Sequence, residues 1–206
     1  MKSAFFNFSL IFVVSFISFS CANSEDTKAN EKAKSDSLQN ATKNVEITDR
    51  PGIVGVYAVP ELLTICKLDS APMKDVSFKV AKAYSVLEEQ MNAIGAKVNG
   101  MPGMITYNND TANFVFECVL PIKEMPAKQP QNCNVVILEA SQMLIYNFYG
   151  PYNRLYLAYD EIKKFTKANN LEQSSPMREF YLSDPLIIKD PAKWHTRIML
   201  PVKKAI

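Results

Sequence analysis

The sequence predicts an α+β fold built from two tandem βαββ repeats related by a pseudo-two-fold, with antiparallel sheets and helices on one face. Three observations predict it. Short motifs recur in the same order: AYSVL at Ala83 with AYDEI at Ala158, PGMITY at Pro102 with PMREFY at Pro176, and LPIK at Leu120 with LPVK at Leu200. Each set sits in the same succession of strand, helix, strand, strand, the signature of a duplicated unit. The spacing agrees between the first two anchors and lengthens before the third, which places an insertion in the second copy around LIIKDP. Residues 51–206 are enough for one domain with its own core. Repeat one runs from about 53 to 123 and repeat two from about 134 to 204.

The elements follow in order. LLTICKL, from Leu62, reads as a mostly apolar strand. Val76, Val80, Ala83, Leu87, Met91 and Ile94 then recur at spacings of three and four, the stripe of an amphipathic helix, and Gly95 supplies its stop. GMITYNND reads as strand and turn, and NFVFECVLPI as the strand that closes the unit. The second copy opens with VVILEASQMLIYNFYG. Its helix starts near Pro151, since proline is tolerated in a first helical turn, and carries the stripe Leu155, Ala158, Ile162, Phe165. REFYL and TRIMLPV are the last two strands.

What precedes the repeats is a different material. Lys2 is followed by an apolar run from Phe5 to Phe19, a layout that predicts a secretory signal over 1–20 rather than a membrane span. Ser20 and Cys21 directly follow the run and resemble the lipobox of bacterial lipoproteins, which implies lipidation at Cys21; an ordinary signal peptide cut near Ala22 is the alternative. The stretch 21–50 is rich in Lys, Glu, Asp, Asn and Ser and has no aromatic residue. It lacks the apolar surface to offset its chain entropy, so a disordered tether is expected, with an end-to-end distance on the order of 30 Å.

Composition removes several classes of function. The formal net charge of +2 gives no basic footprint for nucleic acid. The chain has 1 histidine, His195, which excludes a His-based metal cluster and leaves a haem or a nucleophilic triad a single candidate. No cysteine spacing matches a zinc site, and no cofactor is expected. Cys66, Cys118 and Cys133 allow one disulfide and a leftover thiol in an exported protein, with the pairing open.

Each repeat has one helix, enough to cover one face of its sheet. Both faces nevertheless read as apolar. In QMLIYNFY, Met143, Ile145 and Tyr149 alternate with Leu144, Tyr146 and Phe148. In MREFYL, Phe180 and Leu182 oppose Glu179 and Tyr181. If the first pair packs under the helices, Glu179 looks onto an uncovered apolar face, which then serves as a pocket, a sheet contact or a partner surface. The matching position in repeat one is Ile105, so the unit's fold does not require a carboxylate there. Two readings stay open: an exposed strand glutamate, or the polar floor of an apolar pocket, where burial makes it take up a proton or meet a cation. Glu117 and Arg197 fall at equivalent repeat positions, as a pair near the axis or as two solvated charges.

FYGPYNRLYLAYDEIKKFTKANNL, SPMREFYLSDP and KWHTRIMLPVK together resemble the GyrI-like domain, the effector-binding domain of bacterial multidrug-sensing transcription regulators. The Gly-Pro-Tyr helix start at Gly150, the Glu-x-Tyr strand at Glu179 and Tyr181, the Asp-Pro at Asp184 and the closing Thr-x-Ile-x-x-Pro-Val at Thr196 carry the resemblance. It implies two βαββ units around a central cleft, and a glutamate in an aromatic pocket that meets cationic, lipophilic ligands. That role falls on Glu179, with Tyr181 beside it and Tyr57, Phe116, Tyr146, Tyr149 and Trp194 as candidate walls. It also implies an alternative, hydrolysis of strained-ring or ester-like molecules with Glu179 and Tyr181 as acid–base pair. The chain shows no helix-turn-helix segment and starts with an export leader. The expectation is therefore a stand-alone binder held in the cell envelope by a lipid anchor, with a small-molecule ligand and no nucleic acid.

Overall fold

A computed structural model describes residues 47–205. The expected signal, Cys21 and the expected tether up to residue 46 lie outside the described residues. Nine strands and two helices follow one another: β1 (Gly52–Val59), β2 (Leu62–Ala71), α1 (Val76–Ile94), β3 (Gly103–Thr106), β4 (Phe114–Pro121), β5 (Asn134–Leu138), β6 (Ser141–Tyr149), α2 (Tyr156–Ala168), β7 (Leu171–Gln173), β8 (Met177–Tyr181) and β9 (His195–Lys204). The helix limits follow local chemistry. α1 ends where Gly95 adopts φ +71° and its N–H reaches back to the carbonyls of Met91 and Asn92, a left-handed cap that glycine adopts without penalty. Before α2, Pro151 leads into a single 3-10 turn at Tyr152–Arg154, so the helix starts later than its proline suggests.

All strand pairs are antiparallel, in the order β1-β6-β9-β8-β3-β4-β2-β5, with β7 pairing β9. The order is symmetric about the β3–β8 pair. Repeat one supplies β2, β4 and β3; repeat two supplies β8, β9 and β6. The outermost strands are exchanged: β1 precedes repeat one yet pairs with β6, and β5 precedes β6 yet pairs with β2. Neither half is therefore complete alone.

The helices pack over the outer part of each half. Ala83, Leu87 and Met91 of α1 meet Ile65, Phe116 and Cys118, while Leu155, Ala158 and Ile162 of α2 meet Leu144, Tyr146, Ile198 and Leu200. The central pair β3 and β8 lies uncovered between them. The opposite face carries a third cluster drawn from all eight strands of the main path, including Val54, Ile105, Leu138, Met143, Phe180 and Met199. Val54 and Leu138 come from opposite edges and are both buried, so the sheet curls over its own apolar face. This answers the doubly apolar pattern: one face is helix-covered at its flanks, and the other is closed by curvature.

Two expectations need correction, and one open alternative is decided. Phe180 points into the curled face and Glu179 and Tyr181 point to the helix side, the reverse of the predicted sense. The prediction assumed that a helix covers its whole half, whereas each covers only the outer strands. Cys66, Cys118 and Cys133 are free thiols; Cys66 and Cys118 lie on opposite faces of the sheet. Burial pushes the Cys118 thiol up to about 12. Glu117 and Arg197 do not pair: Glu117 accepts from the Tyr107 hydroxyl at 2.7 Å and Arg197 meets Asp49 at 2.5 Å.

The residues just before 51 are also fastened to the sheet. Asn147, 1% exposed, donates to the carbonyls of Thr48 (2.7 Å) and Arg50 (3.1 Å) and accepts from Arg197 Nε and His195 Nε2, each at 3.0 Å. The Tyr149 hydroxyl donates to the Asp49 carbonyl at 2.8 Å. The segment Thr48–Arg50 is thus fastened to β6 and β9. His195 is consumed in this knot, stacked on Tyr149 at 4.4 Å, and burial lowers its pKa.

Candidate functional site: a cleft between the two helices

Between α1 and α2, over β3 and β8, lies a cleft with a cavity volume of about 1360 Å³. Its existence follows from the topology. A duplicated unit brings two helices, each tied to its own outer strands, and the two central strands are left as a floor.

Glu179 sits in that floor and is 1% exposed. The Tyr159 hydroxyl, from α2, donates a short hydrogen bond to Oε1, and the Tyr181 hydroxyl lies 3.5 Å from Oε2. Among the described residues no lysine or arginine forms an ion pair with it. Burial raises the Glu179 pKa, and the two tyrosine hydroxyls oppose that rise. Burial and the nearby carboxylate in turn hold the Tyr159 hydroxyl well above the ordinary tyrosine range, so it stays a donor. The floor thus holds a carboxyl group that is costly to ionise when the cleft is empty.

Of the residues singled out in the sequence, Glu179 and Tyr181 are in the cleft. Trp194 is one ring removed: it packs tilted against Tyr152 at 5.0 Å, Tyr152 meets Tyr181 edge-on at 5.4 Å, and the indole N–H is spent on the Ile188 carbonyl at 2.8 Å. The other four lie elsewhere. Phe116 is fully buried under α1. Tyr146 is buried under α2, its hydroxyl bonded to Glu161 at 2.7 Å and pushed up to about 12 by burial and that carboxylate. Tyr57 and Tyr149 are on the curled face. Side-chain alternation assigns a residue to one of two faces; it does not say which strand lies beneath a helix and which lies between two.

The residues that sequence reasoning missed come from the helices. Tyr84 and Tyr159 occupy the same place in the two repeats, and both hydroxyls reach down to the floor, Tyr84 to the Gly103 carbonyl at 2.6 Å. The signal was present, since both lie in the Ala-Tyr anchors that revealed the repeat. The offset that matches Tyr84 to Tyr159 also matches Met104 to Glu179, and these two are register partners across β3–β8. Met104 therefore replaces Ile105 as the counterpart of Glu179; Ile105 faces the other side, within the apolar cluster.

A duplicated antiparallel α+β sheet with a tyrosine-walled central cleft defines a small-molecule-binding domain. The chain belongs to the GyrI-like small molecule binding domain family, whose profile matches residues 71–203. Solved structures share the fold. The EcmrR C-terminal domain superposes with a TM-score of 0.66 at 21% identity, covering 73% of this chain and 96% of that one. A hydrolase from Listeria innocua gives 0.55 at 15% identity, covering 78% and 96%. SAV2435 bound to tetraphenylphosphonium gives 0.53 at 16%, covering 72% and 92%. No curated protein matches the sequence.

Proposed function

We propose that this protein is a lipoprotein of the bacterial cell envelope whose GyrI-like domain captures a small lipophilic cation, with Glu179 as the counter-charge. One observation carries the ligand class: a carboxyl group 1% exposed, without a cationic partner among the described residues, at the floor of a large aromatic cleft. A cation that enters supplies the missing charge, ionises Glu179 and leaves its proton to solvent. Tyrosine faces add about 0.5–2 kcal/mol each where a cation lies over them. SAV2435, of the same fold, is bound to tetraphenylphosphonium, and that chemistry suits this floor. The envelope location rests on the apolar run, Ser20–Cys21 and the polar stretch that follows.

Calorimetric titration with tetraphenylphosphonium and with neutral triphenylphosphine oxide tests the reading. Replacing Glu179 by Gln keeps the shape and removes the charge, so the cation weakens by about ten- to a hundredfold, the value of a charge-assisted contact, and the neutral analogue does not. Cation affinity in the wild type rises with pH until Glu179 is ionised in the empty cleft. Equal cation affinity in both proteins refutes the role of Glu179. A second reading is favoured by the Tyr159–Glu179 hydrogen bond: a carboxyl group of raised pKa beside a hydroxyl suits acid–base hydrolysis. Product formed from ester or strained-ring compounds, and lost in Glu179→Gln, would move the function there.

A further inference from the structure

The two halves of the cleft are related by the pseudo-two-fold, yet their chemistry differs. The axis passes between Met104 and Glu179, which are both register partners and repeat counterparts. The same offset matches Val80 to Leu155 and Thr106 to Tyr181 across the cleft. The Glu179 side carries the charged lining, Lys163 and Asp184 with Tyr152, Tyr159 and Tyr181, beside apolar Leu155, Ile162 and Met177. On the Met104 side no charged residue lines the wall. Met73, Met101 and Met104 stand there with Val76, Val80 and Phe114, the polar residues Thr106, Tyr107, Asn108 and Asn109 being uncharged, and the Tyr84 hydroxyl is turned to the Gly103 carbonyl. Methionine side chains are unbranched and polarizable and repack around varied apolar shapes. The volume of about 1360 Å³ also exceeds the roughly 300–1,000 Å³ of an ordinary ligand pocket. A ligand that only meets Glu179 leaves the methionine half unfilled.

We propose that the cleft selects molecules with one cationic head and one long apolar arm, the head over Glu179 and the arm across the axis against Met104, Val80 and Phe114. The inference rests on the cation reading above and adds the arm. Its chemistry is asymmetric: a second cationic group at the far end of the arm would enter a wall with no acid to receive it.

The test is calorimetric titration of the protein with hexyl-, octyl- and decyltrimethylammonium below their micelle concentrations, and with decamethonium, which carries a charge at each end of a ten-carbon chain. Affinity is expected to rise about three- to fourfold per added methylene, and decamethonium to bind at least about tenfold more weakly than the decyl monocation. Glu179→Gln lowers every member of the series by a similar factor and leaves the chain-length slope intact. Met104→Gln flattens the slope, weakening the octyl and decyl ions more than the hexyl ion. Met73→Gln with Met101→Gln does the same in part, at two exposed positions that do not disturb the core. Head-group binding without a chain-length slope overturns the arm and leaves the cation reading standing, as does decamethonium binding equal to that of the decyl ion. A slope that survives both methionine variants overturns it as well. Binding of neither tetraphenylphosphonium nor any alkylammonium overturns both readings.

Discussion

Gly103→Ala probes the contact that joins the two repeats. Gly103 lies in β3 opposite Phe180 of β8, at the centre of the sheet, and its backbone conformation is one that any residue adopts. The constraint is space. A Cβ there would sit 2.5 Å from the Glu179 carbonyl oxygen and 2.7 and 2.9 Å from two carbons of the Phe180 ring. The ring tilts at modest cost. The carbonyl does not move without parting β3 from β8. Overpacking of this kind costs typically about 1–3 kcal/mol, and for a domain of this size each kcal/mol lowers Tm by about 2–4 °C, so Gly103→Ala should melt roughly 2–12 °C below wild type. The displaced strand carries Glu179 with it and moves the Gly103 carbonyl that anchors Tyr84, so tetraphenylphosphonium affinity should fall as well. Differential scanning calorimetry and titration on the same samples measure both. A Tm within about 1 °C of wild type would refute the tight β3–β8 approach, and an unchanged affinity would separate that approach from the site.

Three further predictions concern charge and chain limits. The Glu179 pKa is raised above 4.5 in the folded state, so the folded form holds this proton more tightly than the unfolded chain. Wild type should therefore lose stability relative to Glu179→Gln as pH rises from about 4.5 through the folded value; melting curves at a series of pH values check it, and a gap independent of pH contradicts it. A chain starting at Gly52 removes the Thr48 and Arg50 carbonyls from Asn147 and Asp49 from Arg197, and should melt several degrees below one starting at Asn44, since a polar group left unsatisfied costs roughly 1–3 kcal/mol; equal melting temperatures would show the Thr48–Arg50 contacts to be idle. Metabolic labelling with a radioactive fatty acid should mark the wild type and leave Cys21→Ser unlabelled, and label persisting in the variant would end the lipoprotein proposal.

The sequence by itself determined the duplicated unit, the helix stripes, the Gly95 stop and the alternation that sets Glu179 and Tyr181 on one face together. Those features are local: a period of 3.6 or 2, a cap or a repeated motif needs only neighbours along the chain. It also held Tyr84 and Tyr159 in plain view, as marks of a repeat. Which face became the cleft was decided only in three dimensions. The exchange of β1 and β5 between the halves, the curl that buries Val54 with Leu138, and the placement of each helix over outer strands depend on strands distant in sequence. Together they closed the face expected to be open and opened the one expected to be covered. Phe116 and Tyr146 went under helices for the same reason that Glu179 did not: their strands lie outside the central pair. The pairing of Met104 with Glu179 likewise needed the β3–β8 register, because a shift of one residue in a strand moves a side chain to the opposite face.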